Sequence, residues 1–113
     1  YVNWLIPNEI EFEVISGMKV NDENLINFKK EIPCNLLVTL GENGAVLVKD
    51  DNVLYFDAPK VNVVDTTGAG DAFIGAFAFG LSSSESLDKS IELAVEKASL
   101  SVTKKGTQSS YLN

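Results

Sequence analysis

Within seven residues, Asp65-Thr66-Thr67-Gly68-Ala69-Gly70-Asp71, the chain sets two carboxylates, two hydroxyls and two glycines directly ahead of the apolar run 72–81. A helix that starts near Ala69 exposes its first amides, which have no acceptor inside the helix and carry the positive end of its dipole. Glycines on both sides of Ala69 let a ligand come close to that backbone. Together these are the components of an anion-binding hole. Asp71 falls in the first turn, where it would repel an anion that was merely bound. If the anion is a phosphoryl group in transit, the carboxylate can take the proton of an attacking alcohol. A purely structural account is also open: Asp71 complements the dipole, and Thr66 or Thr67 caps the helix. That account leaves the two glycines without a reason. A dinucleotide-binding loop would need a third glycine where Phe73 stands, and no Walker A sequence occurs.

The rest of the composition narrows the chemistry. The 113 residues suit one domain. There is no histidine and no arginine, which removes His-based triads, His metal sites and an internal arginine finger. A net charge of −7 opposes binding to a nucleic-acid backbone. No apolar run reaches membrane-spanning length and no signal-peptide pattern is present, so a cytoplasmic, non-membrane protein is expected. The single cysteine, Cys34, cannot form an internal disulfide and reads as a small apolar residue. The chain opens on Tyr1 in a strand-like segment, from which we expect a piece of something longer; a processed or trimmed terminus is the alternative.

The elements that would position the motif alternate. Residues 1–7 read as a strand ended by Pro7. A helix follows over 8–16, with Ile10, Val14 and Ile15 as its apolar positions and Gly17 closing it. Asp22 is the expected N-cap of a second helix over 23–31, stopped by Pro33. Strands are expected at 36–40, 45–49 and 53–56. Asn43-Gly44 signals a hairpin between the first two. The helix over 69–82 is apolar nearly all round and should be buried on most sides. Gly75 and Gly80 within it are expected to serve close packing. Residues 85–103 form an amphipathic helix with Leu87, Ile91, Ala94, Val95, Ala98 and Val102 on one face. The pattern predicts a layered α/β fold.

Asp65-Thr66-Thr67-Gly68-Ala69-Gly70-Asp71-Ala72-Phe73 resembles the second signature of the ribokinase-like carbohydrate kinases, the PfkB family. Further likenesses run along the whole chain. Asn8 to Glu11 resembles the family's N-x-x-E segment, Thr39 to Gly44 its T-x-G-x-x-G strand and turn, and Val102 to Ser110 the tail after its nucleotide-side helix. The resemblance implies a three-layer α/β/α fold with a mainly parallel central sheet. It implies that residues 1–113 are the C-terminal nucleotide-side part, and that the sugar-binding half is absent. The implied activity is transfer of the γ-phosphoryl group of ATP to a sugar hydroxyl, most closely that of ribose. Fructose, a 2-keto-3-deoxy sugar acid or a nucleoside is the alternative acceptor. A non-catalytic nucleotide-binding relative is a further alternative.

Carried over residue by residue, Asp71 is the catalytic base and Gly68, Ala69 and Gly70 form the anion hole. Asn8, Thr39, Gly41 and Gly44 are nucleotide-side positions. Glu11 stands near Mg²⁺ through water, as suits a cation that keeps much of its hydration. Asn8 with Glu11 also reads as a capping box. Asp65, Thr67, Ser101, Lys104, Gly106 and Ser110 resemble a monovalent-cation site of the K⁺ type. The implied partners are ATP and a small sugar, with a homodimer left open for the intact protein. The chain alone is expected to be inactive.

Overall fold

Leu36-Leu37-Val38 is apolar at three consecutive positions, and all three side chains are buried. Successive side chains of a strand point to opposite faces, so this strand is covered on both. The computed structural model describes residues 3–62, 64–83 and 85–103. It divides into two units, Tyr1–Asp57 and Ala58–Asn113, each of which has its own architecture.

The first unit is a four-stranded sheet with two helices. In chain order it has β1 (Trp4–Leu5), α1 (Glu9–Ser16), α2 (Asp22–Lys30), β2 (Asn35–Thr39), a 3₁₀ turn (Gly41–Asn43), β3 (Ala45–Lys49) and β4 (Asn52–Phe56). The strands lie in the order β1-β2-β3-β4. β1 and β2 are parallel, joined by a crossover through both helices; β2–β3 and β3–β4 are antiparallel. The sheet of this unit is therefore mixed, and the parallel character expected of the fold is confined to its first pair. The strand read over 1–7 reduces to two residues. Its pairing nevertheless continues on either side, from the Asn35 amide to the Asn3 carbonyl (3.0 Å) and from the Thr39 amide to the Pro7 carbonyl (3.0 Å).

Register puts Leu36 opposite Val48 and Val38 opposite Val46. These four side chains join Phe12 of α1 and Leu25 of α2 in one buried cluster. Phe12 meets Phe28 edge-on, with ring centroids 5.3 Å apart at 80°, an arrangement favoured by the ring quadrupoles. Leu37, Ala45 and Leu47 fill the other face and are equally buried.

Both helices are well capped. Asn8 caps α1, and the Gly17 that ends it is left-handed at φ 73°. The cap of α2 is Asn21, whose side chain accepts from the Asn24 amide; Asp22, the expected cap, is the first helical residue. From there its carboxylate accepts the Tyr55 hydroxyl of β4 at 2.6 Å.

The apolar positions read on α1 are corrected. Ile10, Val14 and Ile15 are exposed, at 74%, 76% and 51%, and Phe12 is the buried residue of α1. Asn43-Gly44 lies, as expected, in the turn that joins two antiparallel strands. The ladder ends at Thr39–Ala45, leaving five residues that wind through the 3₁₀ turn. Gly41 at φ 61° and Gly44 at φ 95°, ψ −128° supply backbone conformations that side chains disfavour.

The second unit is a helical hairpin, α3 (Ala69–Ser82) and α4 (Leu87–Ser101). Ser86 caps α4, its hydroxyl accepting from the Lys89 amide at 3.1 Å. α4 buries Ile91, Ala94 and Val95 on the face expected for it. α3 buries Phe73, Phe77 and Gly80, spaced to share one side. It is not buried on most sides: Ile74, Phe79 and Leu81 are exposed. The two glycines of this helix also part company. A Cβ on Gly80 would lie 2.6 Å from Ser90 Oγ and 2.9 Å from Ser90 Cβ, whereas one on Gly75 would meet nothing within 4 Å. Close packing accounts for Gly80 alone. None of the described helices is long and apolar enough to cross a membrane.

Gly80→Ala is expected to destabilise the chain by about 1–3 kcal/mol through overpacking against Ser90. Gly75→Ala is expected to stabilise it by about 0.5–1 kcal/mol, the helix-propensity difference at an open site. Urea unfolding of the two variants checks both signs.

The Tyr55 hydroxyl, bonded to the Asp22 carboxylate, has its pKa raised from 10.0 to about 12 by that hydrogen bond, then by desolvation and by the negative charge. A group whose folded pKa is raised contributes its stability fully below the unfolded value and loses it as pH rises through the folded one. The difference in urea midpoint between wild type and Tyr55→Phe should thus be constant below pH 10 and vanish between pH 10 and 12. The effect is small, because Tyr55 is 51% exposed.

Candidate active site

The approach to α3 is tied down by one carbonyl at the end of α4. The Val102 C=O accepts the amides of both Val64 (2.7 Å) and Asp65 (3.0 Å). Asp65 then bends the chain by accepting the Thr67 amide on Oδ1 at 2.9 Å, a turn that Asp forms readily. Hydrogen bonds from Thr67, backbone first and side chain second, hold the Asp65 carboxyl below the usual carboxylate range.

Gly68 is the N-cap of α3, left-handed at φ 85°, with no side-chain cap. Neither threonine caps the helix, so the structural account of Thr66 and Thr67 is not the one realised. The Ala69 amide reaches back to the Thr66 carbonyl at 3.2 Å, and the first regular helical bond runs from the Ala72 amide to Gly68 at 2.9 Å. The amides of Gly68, Gly70 and Asp71 have no acceptor among the described residues. Of the three amides expected to form the hole, that of Ala69 is therefore already engaged, and Asp71 adds its own. A Cβ on Gly68 or Gly70 would meet nothing within 4 Å. At Gly68 the positive φ requires glycine. At Gly70 no positive φ and no close neighbour does, although glycine there costs helix stability, about 1 kcal/mol against Ala. The Asp71 residue, one turn into the helix, is exposed.

In the first unit a second set gathers at the carboxyl ends of the parallel strands, the edge where open α/β sheets bind ligands. Asn8 follows β1 and bridges to Thr39, the last residue of β2. The capping box is complete: Asn8 Oδ1 accepts the Glu11 amide at 2.7 Å, and Glu11 Oε1 accepts the Asn8 amide at 2.9 Å. The second oxygen of Glu11 has no partner among the described residues. Gly41 and Gly44 lie in the turn directly after Thr39.

The expected residues thus fall into two groups, each built within its own unit. Asn8, Glu11, Thr39, Gly41 and Gly44 form the first. Asp65, Thr67 and Gly68 to Asp71 form the second, with Ser101 beside the Val102 carbonyl that anchors them. The Ser101 hydroxyl donates to the Ala98 carbonyl at 2.8 Å. Lys104, Gly106 and Ser110 lie outside the described residues. No cluster of three or more acidic, cysteine or histidine side chains suited to a metal occurs among the described residues. Sequence reasoning missed Val102, since a backbone carbonyl leaves no signal in residue type.

The strands and helices are those of a ribokinase-like α/β protein. The structure matches ribokinase from Thermotoga maritima with a TM-score of 0.83 at 37% identity, over 95% of this chain and 38% of that one. It matches Arabidopsis thaliana ribokinase complexed with ribose and ATP at 0.81 and 32%, over 93% of this chain and 36% of that one. A Vibrio cholerae fructokinase with fructose, ADP and potassium ion bound matches at 0.78 and 27%, over 90% and 35%. Among curated proteins, the deoxyribokinase of Salmonella typhimurium is 41% identical over 114 residues, spanning 96% of this chain and 37% of that protein. The chain belongs to the pfkB family of carbohydrate kinases, whose profile matches residues 1–113. It spans little more than a third of the length of these relatives.

Asp65→Ala should weaken the turn that leads into α3. Because the Asp65 carboxyl is lowered from 3.8, its contribution is complete above that pH and is lost as pH falls through the lower folded value. The stability deficit of the variant should be present at pH 7 and absent in strong acid. Urea midpoints across that range check it.

Proposed function

We propose that these residues are the C-terminal, nucleotide-side part of an ATP-dependent sugar kinase, located in the cytoplasm, whose acceptor is the hydroxyl of ribose or a closely similar sugar. The observation that carries this reading is the start of α3. Three amides there have no acceptor among the described residues, no described residue crowds Gly70 and its φ is not positive, and an exposed carboxylate stands beside them. A glycine with open space above it suits a ligand that must touch the backbone. A binding-only module gains nothing from a carboxylate facing phosphate.

In this mechanism Asp71 accepts the proton of the sugar hydroxyl while the new O–P bond forms and the bond from the γ-phosphorus to ADP breaks. The amides of Gly68, Gly70 and Asp71 hold the charge on the moving group without reorganising. Asn8, Thr39, Gly41 and Gly44 serve the nucleotide. Glu11, whose second carboxylate oxygen has no partner among the described residues, would hold Mg²⁺ through water, and the ion would supply positive charge beside the phosphates. The carboxylate of Asp65, the carbonyl of Thr67 and the end of α4 at Ser101 supply the oxygen donors that suit a K⁺-type ion, and the relative with bound potassium supports this assignment. Lys104, Gly106 and Ser110 complete the proposed set. The acceptors named for relatives, ribose and fructose, support a furanose-sized sugar.

The test is a graft in which these 113 residues replace the matching part of the Salmonella deoxyribokinase, assayed for ADP release with ribose, deoxyribose and fructose. Asp71→Asn should lower turnover by about 10²–10⁴ and leave ATP affinity unchanged. Replacing K⁺ by a bulky organic cation should lower turnover of the unsubstituted graft. Normal turnover of Asp71→Asn would remove the base from its role.

A further inference from the structure

Asn43-Gly44 is the one Asn-Gly step in the sequence. The turn between β2 and β3 explains its glycine, which sits at φ 95°, and leaves the asparagine unexplained. Asn43 is exposed, its φ is not positive, and its side chain has no hydrogen-bond partner among the described residues. Asparagine is among the thermolabile side chains. A free side-chain amide, followed by a residue with no Cβ to shield the next peptide nitrogen, is open to attack by that nitrogen.

We propose that Asn43 is a site of spontaneous deamidation and that its conversion weakens ATP binding; the second half rests on the nucleotide-side reading of Gly41 and Gly44. The Gly44 nitrogen gives up its proton and bonds to Cγ of Asn43. The Cγ–Nδ2 bond breaks, and ammonia leaves with that proton. The product is a cyclic imide across the two residues. Water opens it, giving a hydroxyl to one carbonyl and a proton to the nitrogen. Opening at Cγ leaves aspartate; opening at the main-chain carbonyl leaves an isoaspartyl link that runs through the side-chain carbon. The gate is the bonding of the turn, because the attacking nitrogen donates to the Gly41 carbonyl at 3.1 Å. Gly41, Glu42 and Asn43 are all exposed, however, and local opening of such a segment costs far less than global unfolding. Aspartate would add negative charge beside Glu42, which opposes phosphate. The isoaspartyl product would lengthen the main chain inside the loop closed by the Leu40 amide on the Gly44 carbonyl at 2.8 Å.

Peptide mapping tests the first half by following the mass gain from amide to acid at each asparagine of the 113-residue chain in mildly alkaline buffer. One sample is native, with its β2 amides still protected from hydrogen exchange, and one is in urea. In the native sample Asn43 should convert first, at a rate within about tenfold of that in urea, and Asn43→Gln should remove the signal. Conversion in urea with none in the native chain over the same period would overturn the proposal, since the turn would then be a shield. Native conversion led by another asparagine would overturn it too. The second half is read as the Kd for ATP of the deoxyribokinase graft. Asn43→Asp, and ageing of the unsubstituted graft, should each raise it by about threefold or more, and Gly41→Ala serves as the control for the turn. A Kd unchanged by Asn43→Asp but raised by Gly41→Ala would overturn the effect assigned here. A Kd unchanged by both would remove the nucleotide-side reading and this effect with it. Neither mass nor ATP affinity depends on the Asp71 turnover assay, so the two fail separately.

Discussion

The site at α3 depends on a helix start that the protein declines to cap. Most helices satisfy at least one early amide with a side chain, and three others here do so, through Asn8, Asn21 and Ser86. At α3 the threonines that could serve are drawn away. Asp65 takes the Thr67 amide and the Val102 carbonyl holds the amides of Val64 and Asp65, so the chain reaches Gly68 already committed to a left-handed turn. Unsatisfied donors at the positive end of a 14-residue helix are costly unless water or a ligand meets them. The cost is sustained by the packing of α3 against α4 behind it.

The first unit handles its polar ends in the opposite way. Asn8 and Glu11 saturate one another, and the bridge from Asn8 to Thr39 joins the ends of both parallel strands. The turn that follows is held in glycine-only geometry by the Leu40 amide and Gly44 carbonyl at 2.8 Å. A backbone frame of this kind is rigid because each of its parts is already bonded. A structural cap and a nucleotide-side role are compatible for Glu11, since the capping bond occupies one carboxylate oxygen only.

Much of this was legible in residue types. The capping box, the glycine that ends α1, the three strands of the meander and the buried face of α4 follow from local chemistry and period. The capless start of α3 was legible in its glycines. What escaped has two physical causes. α3 was expected to be buried on most sides because it is apolar nearly all round, but phase around the helix decides burial: Phe73, Phe77 and Gly80 share the buried face while Ile74, Phe79 and Leu81 lie off it, and on α1 the same phase buries Phe12 and leaves Ile10, Val14 and Ile15 exposed. The backbone also contributes without signature: the Val102 carbonyl and the amide of Ala69 turned onto Thr66 depend on conformation that residue type does not fix.

The tight meeting of Gly80 with Ser90 also has an angular effect. Nine residues separate Gly80 from Asp71, about two and a half turns of helix, so the two lie on opposite sides of the same rod. Seating the glycine side in α4 at a separation that excludes even a methyl group sets the rotation of the rod about its axis. A contact at one end of α3 thereby aims the carboxylate at the other.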